Sequence, residues 1–450
     1  MNIAEKSNIL IKGTDVQDKM MPDFVYKSQT LFGATSNLIS SKRKHALASF
    51  YRLGFPNKKN EEYKYTDIDA IIKKNFSKAI TTAISTASSI TEAEIESLLI
   101  DNNSIIAVIV NGVFSEKLSK INKLPKGFFI GSLAEACVSK KEIIEKHFAT
   151  STDEQADGLV ALNTALASDG VFIHISKGIK VEIPIHIITI ISSVENIFVQ
   201  PRNLIVIEEQ AEVKIMESFE SIDLNAKSFT NSVTEIFVGE NAKLESYKIQ
   251  KESSDAYQIN TTQVHQKKNS LFNTHTITLD GALVRNNLNV VLDDQNCEAH
   301  LFGLYLLKGN QQVDNHTLVD HRKPNCFSNE LYKGIMEDKS KGGFNGKIFV
   351  RQDAQKTNAF QSNKNILMSD EASINTKPQL EIYANDVKCS HGTSTGKLDE
   401  EALFYLRSRG IGEQRAKKLL MYAFAQDIIN SIKIEELKDF VKKRVEKRLE

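Results

Sequence analysis

Residues 202–250 read RNLIVIEEQAEVKIMESFESIDLNAKSFTNSVTEIFVGENAKLESYKIQ. Two apolar alternations, Val213 with Ile215 and Ile236 with Val238, lie beside similar polar corners, EEQA from Glu208 and GENA from Gly239. Side chains at i and i+2 share one face of a strand, so these segments predict strands divided by tight polar turns. The same signal extends outward in both directions from about Gly170. Val171, Ile173 and Ile175 alternate, as do Ile277 with Leu279, Leu304 with Leu306 and Leu380 with Ile382. Similar corners recur at Asp293 and Ser369, which reads as an imperfect repeat. Short repeated strands can build a sandwich, a jelly roll or a parallel β-helix. Two observations favour the β-helix. Asparagines at 260, 273, 286, 287, 289 and 315 can stack as amide ladders between coils, and Asn-Gly or Gly-Gly hairpin pairs are few. The assignment is a mainly β chain with a parallel β-helix core over 169–396.

The flanks carry helical signals. Ser41 is read as the cap of a segment in which Ala46, Leu47, Phe50 and Leu53 recur at helical spacing, closed by Gly54 and Pro56. Thr91 with Glu94, and Ser139 with Glu142, have capping-box spacing. SIIAVIVNGVF reads as a strand pair around Asn111-Gly112, so residues 1–168 form a mainly helical domain with a short strand pair. Asp399 caps a segment carrying Ala402, Leu403 and Leu406 that stops at Gly410. Ala416, Leu419, Leu420, Ala423 and Phe424 make a second apolar stripe, and Ile434, Leu437, Phe440, Val441 and Val445 a third. Residues 397–450 are assigned as a helical end.

Charge and composition exclude several classes. The 450 residues carry 57 Lys and Arg against 57 Asp and Glu, so no basic field exists to hold DNA nonspecifically. Four cysteines without a C-x-x-C pair argue against a disulfide framework and structural zinc. The apolar runs Ile105–Val110 and Ile185–Ile191 are too short to span a bilayer, and MNIAEKSNILIKGTDV lacks the features of a leader. The expectation is a cytoplasmic protein with reduced thiols.

The motifs that invite a chemical reading mostly fail on spacing. HGTSTGK, residues 391–397, has three residues between its glycines and Leu398 after Lys397, which is not a phosphate-binding loop. LRSRGIGEQRAKKLL, residues 406–420, is similar to a helix-hairpin-helix nucleic-acid module, but a glycine turn between packed helices explains it better in a neutral chain. That module stays as the alternative function. G-x-S-x-G, H-E-x-x-H and G-x-G-x-x-G are absent, so no enzyme is expected. The carboxylates Asp293 with Asp294 and Glu208 with Glu209 read as solvated turns. In DVKCSHG, residues 386–392, an extended backbone projects Cys389 and His391 from one face, a thiol and an imidazole able to ligate iron or zinc. Two ligands are half a site. Cys297, His300, His316, His321 and Cys326 are weighed as the others and disfavoured, because scattered Cys and His in strands are ordinarily packing residues.

EEYKYTDI from Glu61, RNLIVIEEQAEVKIMESF from Arg202, the stretch from Lys333 through KCSHGTSTG, and the helical end closely resemble the SufD family. Its members are subunits of the SufBCD iron–sulfur cluster assembly complex. The resemblance covers nearly the whole chain. It implies a right-handed parallel β-helix between helical domains, and a pseudo-symmetric heterodimer with SufB through the end of the β-helix. It further implies a SufC ATPase docked on the C-terminal helices, with all ATP hydrolysis in SufC. By motif, His391 falls at the SufB interface where the nascent cluster assembles, with Cys389 beside it. The SufC-binding region falls on Ala402–Phe424, including Leu403, Leu406, Arg407, Arg409, Gly410, Ala416, Leu419 and Leu420. No cofactor is held stably by the chain alone, only a transient cluster at the SufB interface. A homodimer is the alternative state in isolation, and neither nucleic acid nor membrane is a partner.

Overall fold

The computed structural model describes residues 37–76, 90–121, 124–222 and 226–448. The N-terminal stretch read for a leader lies outside them. The core is a parallel β-helix of about eight turns. Its coils lay two strands each into two long sheets, one ending in Val387–Gly396 and the other in Ser373–Ile382. Ladder pairing within the stack is parallel and in register, as in Glu212 to Lys243 to Leu271 to Glu298 to Phe327.

The repeat is regular in space and irregular in sequence. Partners lie 31 residues apart for Glu212 and Lys243 and only 27 apart for Leu271 and Glu298. One corner sets the turn in each coil, where Gln210, Asn241, Asn269, Asn296, Asn325 and Lys356 all adopt positive φ near 60°. Asparagine tolerates this left-handed conformation better than most residues. Asn296 Nδ2 donates to Asn269 Oδ1 at 2.9 Å, and Asn269 Nδ2 to Asn241 Oδ1 at 3.0 Å, stapling successive corners. The corners at Glu208, Gly239 and Asp293 belong to this row; the one at Ser369 lies on the opposite side of the coil, between strands Thr357–Leu367 and Ser373–Ile382. Matching polarity alone does not separate the two sides.

Inside the helix, Asn260, Asn286 and Asn315 occupy successive coils, and Asn286 Nδ2 donates to Asn315 Oδ1 at 3.0 Å. The expected ladder is present there. Asn273 and Asn287 instead donate to Glu245 and Thr261. Ala211, Val213 and Ile215 join the apolar interior. Ile277, Leu279, Leu304 and Leu306 alternate on the outer face, where they pack with Met421, Ala425, Ile428, Leu437, Val441 and Val445 of the C-terminal helices.

Helices cover both outer faces. Helix Asn37–Leu53 begins before Ser41, which lies within it, and closes at Gly54, with φ of 70°. Its Phe50 joins Phe55, Tyr63, Ile72, Phe76 and Leu162 against Phe198, Phe229, Ile259 and Leu283 of one sheet. The Thr91–Glu94 capping box forms, whereas Ser139 ends helix Leu133–Ser139 and bonds back to Glu135 O, leaving Lys140 to precede helix Lys141–His147. Strand Ile105–Val110 turns through Asn111 and Gly112, both with positive φ, into Val113–Phe114, and extends one sheet by pairing parallel with Ile185–Ser192. The EEYKYTDI motif is a strap across one sheet. Glu61 pairs with Lys377, Glu62 accepts from Asn345, Tyr63 lies under Arg285 with 3.9 Å from guanidinium to ring, and Thr66 donates to Asp314 at 2.8 Å. A buried pair, Arg202 with Glu235, ties the loop at 149–151 to the same sheet.

Candidate functional site

The N-terminal strap reaches the last coil through Glu61 and Lys377, but the final strand is exposed along nearly its whole length. Strands Ser373–Ile382 and Val387–Gly396 each pair with one neighbour within their sheet, and among the described residues nothing pairs with the other edge. From Lys388 onward the final strand carries only one residue that is not exposed, Cys389. A long bare edge is a template for another strand.

On that strand Val387, Cys389 and His391 follow Thr357, Ala359 and Gln361 in register and face the interior of the coil. Cys389 packs at the margin of an apolar group containing Ile348, Val350, Ala354 and Ala359, and burial pushes its thiol pKa up. His391, one step further along, is exposed, with no further coil over it among the described residues. The structure thus brings the sequence-predicted pair together on the open end. HGTSTGK is not a loop: residues 391–396 are strand, and Lys397 pairs with Asp370 at 2.8 Å.

The other candidate ligands lie elsewhere. Cys297 and Cys326 are buried in adjacent coils, and both thiols donate to Asp294 O at 3.2 Å. His321 Nε2 contacts Ser328 Oγ, His300 contacts Glu298, and His316 lies between Asp314 and Glu62. Among the described residues no group of three or more His, Cys, Asp or Glu side chains is placed to hold a metal ion. The carboxylates at the corners are engaged: Asp293 pairs with Lys267 and Arg322, Glu209 pairs with Lys177, and Glu208 is hydrogen-bonded to His174.

The helical end forms a second candidate surface. Asp399 accepts from the N–H groups of Glu401 and Ala402, opening helix Glu400–Ser408. Gly410, at φ 83°, turns the chain into helix Glu413–Ser431. The lower half of that helix is clamped to the outer sheet: Lys333 Nζ donates to Phe424 O at 2.8 Å and pairs with Asp427, and His275 Nε2 meets Ser431 Oγ at 2.8 Å. The hairpin itself projects. Helix Glu400–Ser408 has no buried residue, and Phe404, Tyr405 and Leu419 are 73%, 58% and 44% exposed. The expected stripe is therefore displaced: Ala416 is buried, but Met421, Ala425, Ile428 and Ile429 face the sheet while Leu419 and Ala423 face outward. Sequence spacing found an apolar face without telling which of two belonged to the fold. Leu403 and Leu406 are half-buried, and the exposed Arg407 pairs with Glu413 at 3.5 Å. Arg409 stacks over Tyr405.

The chain is thus a parallel β-helix protein with helices on both faces, a terminal coil open among the described residues and a projecting C-terminal hairpin. Residues 15–187 match the SufBD protein N-terminal region, and residues 189–424 match the SufBD core domain of the SUF system for FeS cluster assembly. The chain belongs to the SufBD family. Within it the chain is SufD-like: it is 31% identical over 422 residues to the iron-sulfur cluster assembly protein SufD of Escherichia coli, covering 93% of this chain and 95% of that one. It is 32% identical to a SufBD family protein of Synechocystis, covering 90% of each chain. A further relative, protein ABCI7, chloroplastic, of Arabidopsis thaliana is 29% identical, covering 87% of this chain and 82% of that one.

Proposed function

We propose that this chain is a non-catalytic scaffold subunit of the SUF machinery in the cytoplasm. The bare terminal coil pairs with a SufB-like subunit, and the projecting hairpin at 400–420 takes a SufC-like ATPase, in which ATP hydrolysis resides. His391, with Cys389 beside it, supplies one side of an interfacial site for the nascent iron–sulfur cluster, and the partner supplies the rest. The cluster is cargo. A half-site suits that task, because ligands shared across an interface separate when the interface moves. The observation that supports this reading is the exposed His391 on a strand that, among the described residues, is hydrogen-bonded along one edge only. Cys389, half-buried with its pKa raised, is the weaker donor of the two at neutral pH.

The test is His391→Ala in the complex co-expressed anaerobically with the SufB-like and SufC-like chains of the same organism. Bound iron and sulfide per complex should fall at least several-fold with assembly intact. Unchanged cluster content would remove His391 from the site.

A further inference from the structure

Behind His391, one coil deeper, the buried Gln361 reaches into the interior, and one coil deeper again is the buried Glu330. Gln361 Nε2 donates to Glu330 Oε2 at 2.8 Å. That bond fixes the amide, because a carboxylate accepts and the NH2 group donates. It also turns Gln361 Oε1 away from Glu330, and this oxygen is buried with no hydrogen-bond partner. A buried carbonyl left unpaired is costly, because it has given up its water without a replacement. The residue next in register on the same interior face is His391, a strand spacing of about 4.8 Å away. Gly346 leaves the space that the Gln361 amide occupies, since a Cβ there would sit 2.2 Å from Nε2.

We propose that Glu330 and Gln361 form a positioning element for His391: when the exposed imidazole turns inward, Gln361 Oε1, unpartnered in this structure, takes the N–H of one ring nitrogen, and the other is presented as a lone pair at the open end. Histidine ligands ordinarily donate their second ring N–H to such a group, which sets tautomer and ring orientation. Glu330 does not touch the ligand; it holds the amide that does. This inference rests on the reading of His391 as a cluster ligand, but it concerns the chain before any cluster arrives.

The test reads the His391 tautomer directly, by long-range proton–nitrogen correlation on the full chain labelled at histidine, with His391→Ala assigning the signal. It is run at pH 8, where Glu330, whose pKa burial lifts to about 7, is largely ionised. The wild type should hold one tautomer. Gln361→Met, of similar length without an acceptor, should shift the tautomer ratio about fivefold toward that of an exposed histidine, the weight of one ordinary hydrogen bond. If that variant folds poorly, Glu330→Met should produce the same shift by freeing the amide, while Glu330→Gln, which keeps an acceptor, should preserve the wild-type ratio. An unchanged ratio in Gln361→Met or Glu330→Met, or a loss in Glu330→Gln equal to that in Glu330→Met, overturns the proposal. Its failure is separable from that of the functional reading, which falls only if His391→Ala leaves cluster content unchanged.

Discussion

Phe404→Ala isolates the hairpin as a docking surface. The ring is 73% exposed on a helix with no buried residue, so truncating it removes little from the fold, within about 0.5 kcal/mol. If an ATPase subunit covers the ring, roughly 120 Å² of apolar surface leaves water there, using about 150–200 Å² for a whole aromatic side chain. At about 25 cal/mol per Å² this is about 3 kcal/mol, or close to a hundredfold in affinity. Titration calorimetry between this chain and the SufC-like subunit should therefore show Kd rising between tenfold and a hundredfold, with the thermal transition of the isolated chain unmoved. Val138→Ala, at a side chain 72% exposed on a different helix, serves as control and should leave Kd unchanged. A change below threefold for Phe404→Ala would refute the assignment of this face.

Three further outcomes follow from the packing. Arg202 and Glu235 are both fully buried; burial alone would raise the Glu235 pKa, but Arg202 and bonds from Ser151 and Ala149 bring it below the usual carboxylate value. Arg202→Met strands that carboxylate at a cost of about 3–5 kcal/mol, which native-state hydrogen exchange should register as a hundredfold or greater loss of protection at 149–151. His275 is held neutral by burial with its pKa lowered to about 3, so its contribution to stability is whole above 6.5 and lost as pH falls toward 3. Docking of helix Glu413–Ser431 should loosen on going from pH 7 to 5, by exchange at its lower half, and His275→Gln should abolish that dependence. At the coil corner, Asn269→Ala loses two ladder bonds and places alanine at φ 57°, for about 2 kcal/mol by urea unfolding, whereas Asn269→Gly, which tolerates that φ, should cost clearly less.

The strands, the corners and the three-part order were legible because alternation and capping are local signals. Asp399, Thr91 and the Asn111-Gly112 turn act within a few residues of themselves. Ser41 and Ser139 carry the same composition and do not cap, since packing of Phe50 and Cys137 sets where those helices run. What escaped the sequence depends on register between coils. The chain distance between stacked residues varies from 26, for Tyr257 and Leu283, to 32, for Lys341 and Ser373, so no fixed period aligns Asn241 with Asn269 and Asn296, or Glu330 with Gln361 and His391. Of the six corner residues with positive φ, Gln210, Asn241 and Asn296 fall in the polar corners at Glu208, Gly239 and Asp293, whereas Asn269, Asn325 and Lys356 carry no matching corner pattern. For the site, Cys389 and His391 needed only the i, i+2 rule. Their exposure needed the end of the β-helix, which a repeat pattern does not announce.

The most direct measurement of the central claim is the anaerobic native mass of this chain co-expressed with the SufB-like and SufC-like chains of its organism. The complex should contain one copy of this chain with one SufB-like and two SufC-like subunits. This chain migrating alone, or only with itself, in the presence of both partners would contradict it.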